Sequence, residues 1–143
     1  MDAARKAVMK RQAEKTMENL RKNRMEAYYV DTAAEVPAQV EALMHKGDVA
    51  AVGGSVTLAQ TGVLDLLRSG RYRFLDRYAP GLDAEQVRRI FLDSFSADVY
   101  LASANAVTMN GELYNVDGNS NRAAAICYGP RSVILVVGCN KIV

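Results

Sequence analysis

The spacing of apolar residues predicts a long helix at the start of the chain. Met9, Ala13, Met17 and Leu20 recur at helical intervals among charged residues, and no helix breaker interrupts residues 3–25. Because this apolar seam is narrow, we expect the helix to pack lightly, either against the rest of the domain or against a partner.

Beyond this helix, short apolar runs alternate with helical patterns. The predicted strands are residues 26–30, 48–53, 71–76 and 98–102. The predicted helices cover residues 32–46, a segment that carries Leu58, Val63, Leu64 and Leu67, and a segment that begins at Asp83 with Gln86 in a capping box. Apolar strands separated by helices are typical of a mostly parallel sheet that is covered on both faces. We therefore expect an α/β protein with a three-layer α/β/α architecture.

The pattern changes after the strand at 98–102. Asn110-Gly111 separates two strand-like segments, 104–109 and 112–116, and predicts an inserted β-hairpin with a two-residue turn, in which both turn residues have positive φ. A helix of small residues at 119–128 and the most apolar strand of the chain, 132–138, complete the order α-βα-βα-βα-β-ββ-α-β.

Composition and charge then limit the kind of protein. With 143 residues, of which 50% are hydrophobic and 24% charged, the chain has the size of one folded domain spanning residues 1–143. Residues 1–24 form a basic N-terminal helix, with eight Lys and Arg against three Asp and Glu, and residues 26–143 form the α/β core. No aromatic residue precedes Tyr28, so we expect a solvated helix and no nucleic acid partner.

The sequence contains no apolar run of membrane-spanning length and no signal-peptide pattern, so we expect a cytoplasmic protein without a membrane partner. Cys127 and Cys139 lack the spacing of a metal site or a disulfide framework, and His45 is the only histidine. We therefore expect no metal, no cofactor and no histidine-based catalytic triad, and the sequence does not identify a catalytic residue.

In parallel α/β sheets, ligands collect at the carboxyl ends of the strands. The first candidate segment there contains Gly53, Gly54, Ser55 and Thr57. Its glycines allow close approach of a ligand, and its hydroxyls and helix-start amides favour an anion such as phosphate or carboxylate. The alternative is a tight turn with Ser55 as the helix N-cap, and the segment matches neither the Walker nor the dinucleotide pattern.

A second candidate segment is denser in polar groups: Asp117, Gly118, Asn119, Asn121 and Arg122. One helix cap needs only one of these side chains, and a guanidinium in the first helical turn can hold a carboxylate or phosphate. Two structural alternatives remain open. Asn119 or Ser120 caps the helix, and Arg122 forms an ion pair with Asp117.

Two further pairs follow predicted strands, namely Ser103 with Asn105 and Asn140 with Lys141. Small residues at the first position indicate either a ligand or crowding at the sheet. Lys141 is either a point charge for an anion or a solvated lysine.

Several blocks of the sequence resemble the lactate-utilisation (LUD) domain family. The first is the stretch from Ser103 through the hairpin to Ala125, followed by Gly129-Pro130, the apolar residues 133–138 and the ending Asn140-Lys141-Ile142-Val143. Gly-Gly-Ser-Val-Thr-Leu at 53–58 and the later Gly62 match an earlier block of that family. The resemblance extends in order over residues 1–143.

The resemblance implies a fold like that of ribose-5-phosphate isomerase and the coenzyme A transferases. It also implies a role in the oxidative use of lactate, beside iron–sulfur subunits as partners. The catalytic glutamate of the transferases and the nucleotide site of the related folate cyclo-ligases have no matching motif here. Similar proteins usually continue beyond this ending, so we expect a chain that is truncated or naturally short, with exposed strand edges that favour a homo-oligomer.

Three functions remain open. The first is an accessory LUD-domain protein of lactate utilisation that binds a small anionic or nucleotide-like ligand through residues 53–57 and 117–122. The second is a transferase or ligase that acts on a phosphorylated, nucleotide or coenzyme A-linked substrate. The third is an assembly module that docks a partner through the N-terminal helix.

Overall fold

A computed structural model describes residues 1–143. The protein has an α/β fold with a parallel four-stranded sheet flanked by helices, as predicted. Its helices are α1 (Ala3–Lys22), α2 (Val36–Leu43), α3 (Val56–Gln60), α4 (Val63–Leu67), α5 (Ala84–Asp93) and α6 (Asn121–Cys127). Its strands are β1 (Val49–Val52), β2 (Arg73–Phe74), β3 (Val99–Ala102), β4 (Ala106–Val107), β5 (Leu113–Tyr114) and β6 (Ser132–Leu135). No helix is both long and apolar enough to cross a lipid bilayer.

By its internal contacts the chain divides into two compact units. The first unit contains Met1–Asp31, Ala104–Val116 and Val137–Val143. The second unit contains Thr32–Ser103 and Asp117–Val136, and it holds the four-stranded sheet.

The sheet of the second unit has the strand order β2-β1-β3-β6, and all of its pairs are parallel. Its two central strands are almost entirely buried. β3 is buried along its whole length, and β1 is buried except at Val49. Tyr100 of β3 packs in a core with the small residues Ala51, Ala97, Ala102 and Ala125. Small neighbours leave the space that one large buried ring requires, so this cluster is built around Tyr100.

The helices of the second unit agree with the prediction in place but not always in extent. The capping box of α5 is confirmed, because Gln86 N–H donates to Asp83 Oδ1 at 2.8 Å and Asp83 N–H donates to Gln86 Oε1 at 2.9 Å. The helix that was expected to run from Leu58 to Leu67 is divided into α3 and α4. Gly62 lies between them with φ of 79°, a left-handed conformation that ends the first helix.

The predicted strand at 26–30 is wrong. These residues belong to the first unit, and they form no strand. Local side chains provide their contacts instead. Arg21 Nη2 donates to the Ala27 carbonyl at 2.6 Å, and the Tyr28 hydroxyl donates to Glu26 Oε2 at 2.6 Å. A strand is stable only in a ladder, so β propensity alone did not suffice here.

The first unit consists of α1, the β4–β5 hairpin and the chain ending. Asn19 and Asn23 of this unit donate their side-chain amides to the hairpin turn, at 2.7 Å to the Met109 carbonyl and 2.9 Å to the Gly111 carbonyl. The predicted apolar seam of α1 is in part confirmed, because Ala13 is buried, although Thr16 is the other buried residue of the helix.

The hairpin is present, but its predicted turn is wrong. Gly111 has φ of 85°, whereas Asn110 does not have a positive φ. Gly111 N–H donates to the Thr108 carbonyl at 2.9 Å and Thr108 N–H donates to the Glu112 carbonyl at 2.9 Å. Three residues therefore form the loop, with glycine alone in the left-handed position, which is the next commonest way to close a hairpin.

Candidate functional site

The first candidate segment lies at the carboxyl edge of the sheet. Gly53 follows β1 directly, and its N–H continues the ladder by donating to the Leu101 carbonyl of β3 at 2.9 Å. Ser103 follows β3 in the same way and is buried. Because β1 and β3 are adjacent and parallel, the residues that follow them lie at the same edge.

The second candidate segment reaches the first through Arg122. A Cβ atom on Gly53 would lie 3.0 Å from Arg122 Cγ and 3.0 Å from the Tyr100 hydroxyl oxygen. Only a residue without a side chain permits this approach without a shift of those neighbours. The structure thus brings together the segments at 53–57 and 117–122, which the sequence placed far apart.

The charge of Arg122 is balanced within the chain. Its Nε lies 2.9 Å from Asp117 Oδ1, and the two side chains are only 11% and 12% exposed. Arg122 Nη1 also donates to the Ser103 carbonyl at 3.4 Å. Of the two interpretations of Arg122, the ion pair with Asp117 is therefore the arrangement observed.

Asp117 also caps the start of α6. Its Oδ2 accepts the Ala123 N–H at 2.6 Å. Ser120 occupies the N-cap position with φ of 60° but makes no capping hydrogen bond through its side chain. The predicted cap by Asn119 or Ser120 is therefore replaced by a carboxylate three residues before the N-cap, a position that serves both the helix start and Arg122.

The remaining side chains of these segments have separate places. Ser55 caps α3, since its Oγ accepts the Leu58 N–H at 3.2 Å, as the structural alternative required. The carbonyl of Thr57 accepts the hydroxyl of Thr61 at 2.7 Å. Gly118 is exposed, while Asn119 and Asn121 line a groove of about 790 Å³ beside α5.

Two residues that the sequence analysis missed lie beside Gly54 and Ser55. Arg77 Nη1 lies 3.4 Å from the position that a Cβ on Gly54 would take. The guanidinium carbon is 4.6 Å from the centre of the Phe91 ring and 5.4 Å from that of Tyr78. The Tyr78 hydroxyl accepts the Ser55 N–H at 3.4 Å. Both residues follow β2, so the rule that pointed to the ends of the other strands also applied to them.

Tyr100 is the third residue that was missed. The ring is buried, and burial raises the pKa of its hydroxyl to about 12, with Arg77 the largest opposing charge. At neutral pH this hydroxyl therefore keeps its proton and is able to donate it in a hydrogen bond. In the sequence, Tyr100 lies in the middle of an apolar segment that predicts a buried strand. Its neighbours there indicate a core residue and carry no sign of a functional role.

Asn105, Asn140 and Lys141 belong to the first unit. Asn105 Oδ1 accepts the Val116 N–H at 2.9 Å, and Lys141 Nζ donates to the Ala104 carbonyl at 3.0 Å. Asn140 lies in the short 3-10 turn Cys139–Lys141 and is exposed. Within their unit, Asn105 and Lys141 thus bind backbone at both ends of Ala104–Val116.

Comparison with known protein families gives a match over most of the chain. The family model described as the LUD domain matches residues 13–143. No curated protein and no solved structure matches the chain.

Proposed function

Because the chain belongs to the LUD domain family, we propose that it is a protein of lactate utilisation that binds a small anionic ligand at the carboxyl edge of β1 and β3. The ligand contacts the exposed backbone at Gly54. Arg122 and Asp117 support that backbone from the side of Gly53.

The observation that carries this proposal is the convergence at Gly53. The residue is buried, and a Cβ there would lie 3.0 Å from both Arg122 Cγ and the Tyr100 hydroxyl oxygen. Gly54, the next residue, is exposed. One glycine therefore holds the polar cluster against the sheet while the other leaves the backbone open, which is the arrangement that lets a ligand approach main-chain amides.

The local charge supports an anion rather than a cation. Asp117 and Arg122 neutralise each other, and Asp76 is paired with Arg68 at 2.8 Å. Arg77 forms no ion pair and therefore contributes one net positive charge beside Gly54. An anion bound there is attracted by this charge.

Thermal unfolding in the presence of candidate anions tests the proposal, because a ligand that binds only the folded state raises the Tm. Lactate, inorganic phosphate, a nucleotide and coenzyme A serve as probes. We expect at least one of them to raise the Tm above that in chloride at the same ionic strength.

The variant Ser55→Asp assigns the effect to the site. An aspartate still caps α3, so the helix start is retained, but its charge repels an anion from the adjacent amides. Ser69→Asp is the matched control, since Ser69 is exposed and the charge change is the same. The proposal is contradicted if an anion still raises the Tm of Ser55→Asp as much as it raises that of the unaltered protein. It is also contradicted if no probe raises the Tm of the unaltered protein.

A further inference from the structure

Arg77 differs from every other arginine of the chain in its surroundings. Arg77 and Arg122 are the two arginines that are not exposed, and Arg122 is paired with Asp117. Arg77 makes no ion pair, although its side chain is half-buried. The rings of Phe91 and Tyr78 compensate part of the hydration that this half-buried charge loses, and an anion bound beside it supplies the counter-charge that the chain does not.

The orientation of the guanidinium is held by its neighbours. Nη1, Cζ and Nη2 lie 3.4, 3.7 and 3.7 Å from the position of a Cβ on Gly54, so the planar group faces that glycine. Phe91 stacks on it with 4.6 Å between the guanidinium carbon and the ring centre. Stacking on an aromatic ring leaves the in-plane N–H groups available, and these are the donors that bind a carboxylate in a fork.

Tyr100 supplies a second and independent observation. Its side chain is 2% exposed, its hydroxyl has no hydrogen-bond partner within the chain, and that oxygen is directed at Gly53. No other group of the chain hydrogen-bonds to this hydroxyl, and its oxygen reaches solvent beside the glycine that precedes Gly54, so it is open to a hydrogen bond with a ligand.

We propose that Arg77 and Tyr100 bind the anionic group of the ligand directly and that this group is a carboxylate. Arg77 donates to it through its planar fork, and the Tyr100 hydroxyl donates one further hydrogen bond. This inference rests on the proposed function, because it names the residues and the ligand class of the same site.

The charge balance selects a carboxylate over a phosphate. Arg77 contributes the one positive charge that is not already neutralised, since Asp117 balances Arg122 and Asp76 balances Arg68. A carboxylate carries one negative charge and matches it. A phosphate that is doubly ionised at neutral pH leaves one negative charge uncompensated in a partly buried site, which costs binding energy.

The experiment measures Tm as a function of acetate concentration, with chloride and inorganic phosphate at matched ionic strength. Unaltered protein, Arg77→Gln, Arg77→Lys and Tyr100→Phe are compared with Arg73→Gln, which removes the same charge from an exposed position of β2. We expect acetate to stabilise more than phosphate. We expect the apparent Kd for acetate to rise by roughly tenfold or more in Arg77→Gln and severalfold in Tyr100→Phe, with no change in Arg73→Gln.

Arg77→Lys keeps the charge but not the planar fork, so we expect its Kd for acetate to lie between those of the unaltered protein and Arg77→Gln. If Arg77→Gln does not fold, Arg77→Lys is the deciding variant. Loss of the acetate effect in Ser55→Asp together with its retention in Arg77→Gln overturns this inference but leaves the proposed function standing. Stronger stabilisation by phosphate than by acetate overturns the inference that the bound group is a carboxylate. Absence of any anion effect in the unaltered protein rejects the proposed function itself.

Discussion

Asp117 holds two groups with its one carboxylate. One oxygen lies 2.9 Å from Arg122 Nε, and the other accepts the Ala123 N–H at 2.6 Å. Arg122 in turn packs against Gly53. A single carboxylate thus connects the start of α6 with the residue that follows β1, although it does not itself face the proposed ligand.

We expect Asp117→Asn to destabilise the protein by about 2–4 kcal/mol, because it leaves the buried guanidinium of Arg122 without a counter-charge. The free energy of unfolding in urea measures this loss. Asp93→Asn is the control, since the pair between Arg89 and Asp93 is solvent-exposed and its loss costs about 0–0.5 kcal/mol. Equal losses in the two variants would show that the Asp117 pair contributes no more than a surface contact.

At this scale the sequence indicated the right segments but not the roles of their residues. The cluster around Asp117 was visible as an excess of polar side chains, yet a linear sequence does not show whether a guanidinium meets a carboxylate of its own chain or of a ligand. Arg77 and Tyr100 were missed for a related reason. Arg77 follows a strand of only two residues, and Tyr100 has the pattern of an ordinary buried strand.

At the scale of elements, the hairpin depends on one glycine. Gly111 has φ of 85°, and a Cβ there would lie 2.7 Å from the backbone carbon of Asn19. The turn therefore needs both the left-handed conformation and the absence of a side chain, because α1 lies directly against it.

We expect Gly111→Ala to lower the free energy of unfolding by roughly 2–4 kcal/mol, through the strained φ and the clash with backbone that has no room to move. Gly118→Ala is the matched control: nothing lies within 4 Å of its Cβ position and its φ is not positive. Urea unfolding of both variants decides. A Gly111→Ala protein as stable as the control would mean that the turn adapts.

The elements were predicted in type more reliably than in extent. The long periodic segment of α1 and the capping box of α5 were predicted correctly, because both signals depend on residues close together in the sequence. The strand expected at 26–30 failed because a strand exists only with a partner, and the interrupted helix between Leu58 and Leu67 failed because a single glycine adopted a left-handed conformation.

At the scale of the whole molecule, the order of the strands determines where the fold is most stable. β1 and β3 are central and buried, whereas β2 and β6 are the edges of the sheet. β6 is the most apolar strand, yet its residues are only partly buried or exposed.

Amide hydrogen exchange in the native state measures this distribution. We expect the slowest exchange at Ala51 and Leu101 of the central strands, because their amides open only with the sheet itself. We expect exchange faster by an order of magnitude or more at Val133 and Leu135 of β6. Their amides point away from β3, toward the open edge of the sheet. Equal protection of Leu135 and Leu101 would contradict the assignment of β6 as a free edge.

The sequence by itself determined the α/β class, the parallel character of the sheet, the hairpin and the membership of the LUD domain family, which the match over residues 13–143 confirms. These properties depend on local periodicity, turn residues and motifs, which a linear chain carries in full. Only the tertiary structure decided that Arg122 pairs with Asp117, that Gly53 lies against both Arg122 and Tyr100, and that Arg77 faces Gly54 without a counter-charge. Those properties depend on the distances between residues far apart in the chain, and such distances are set by strand order and packing.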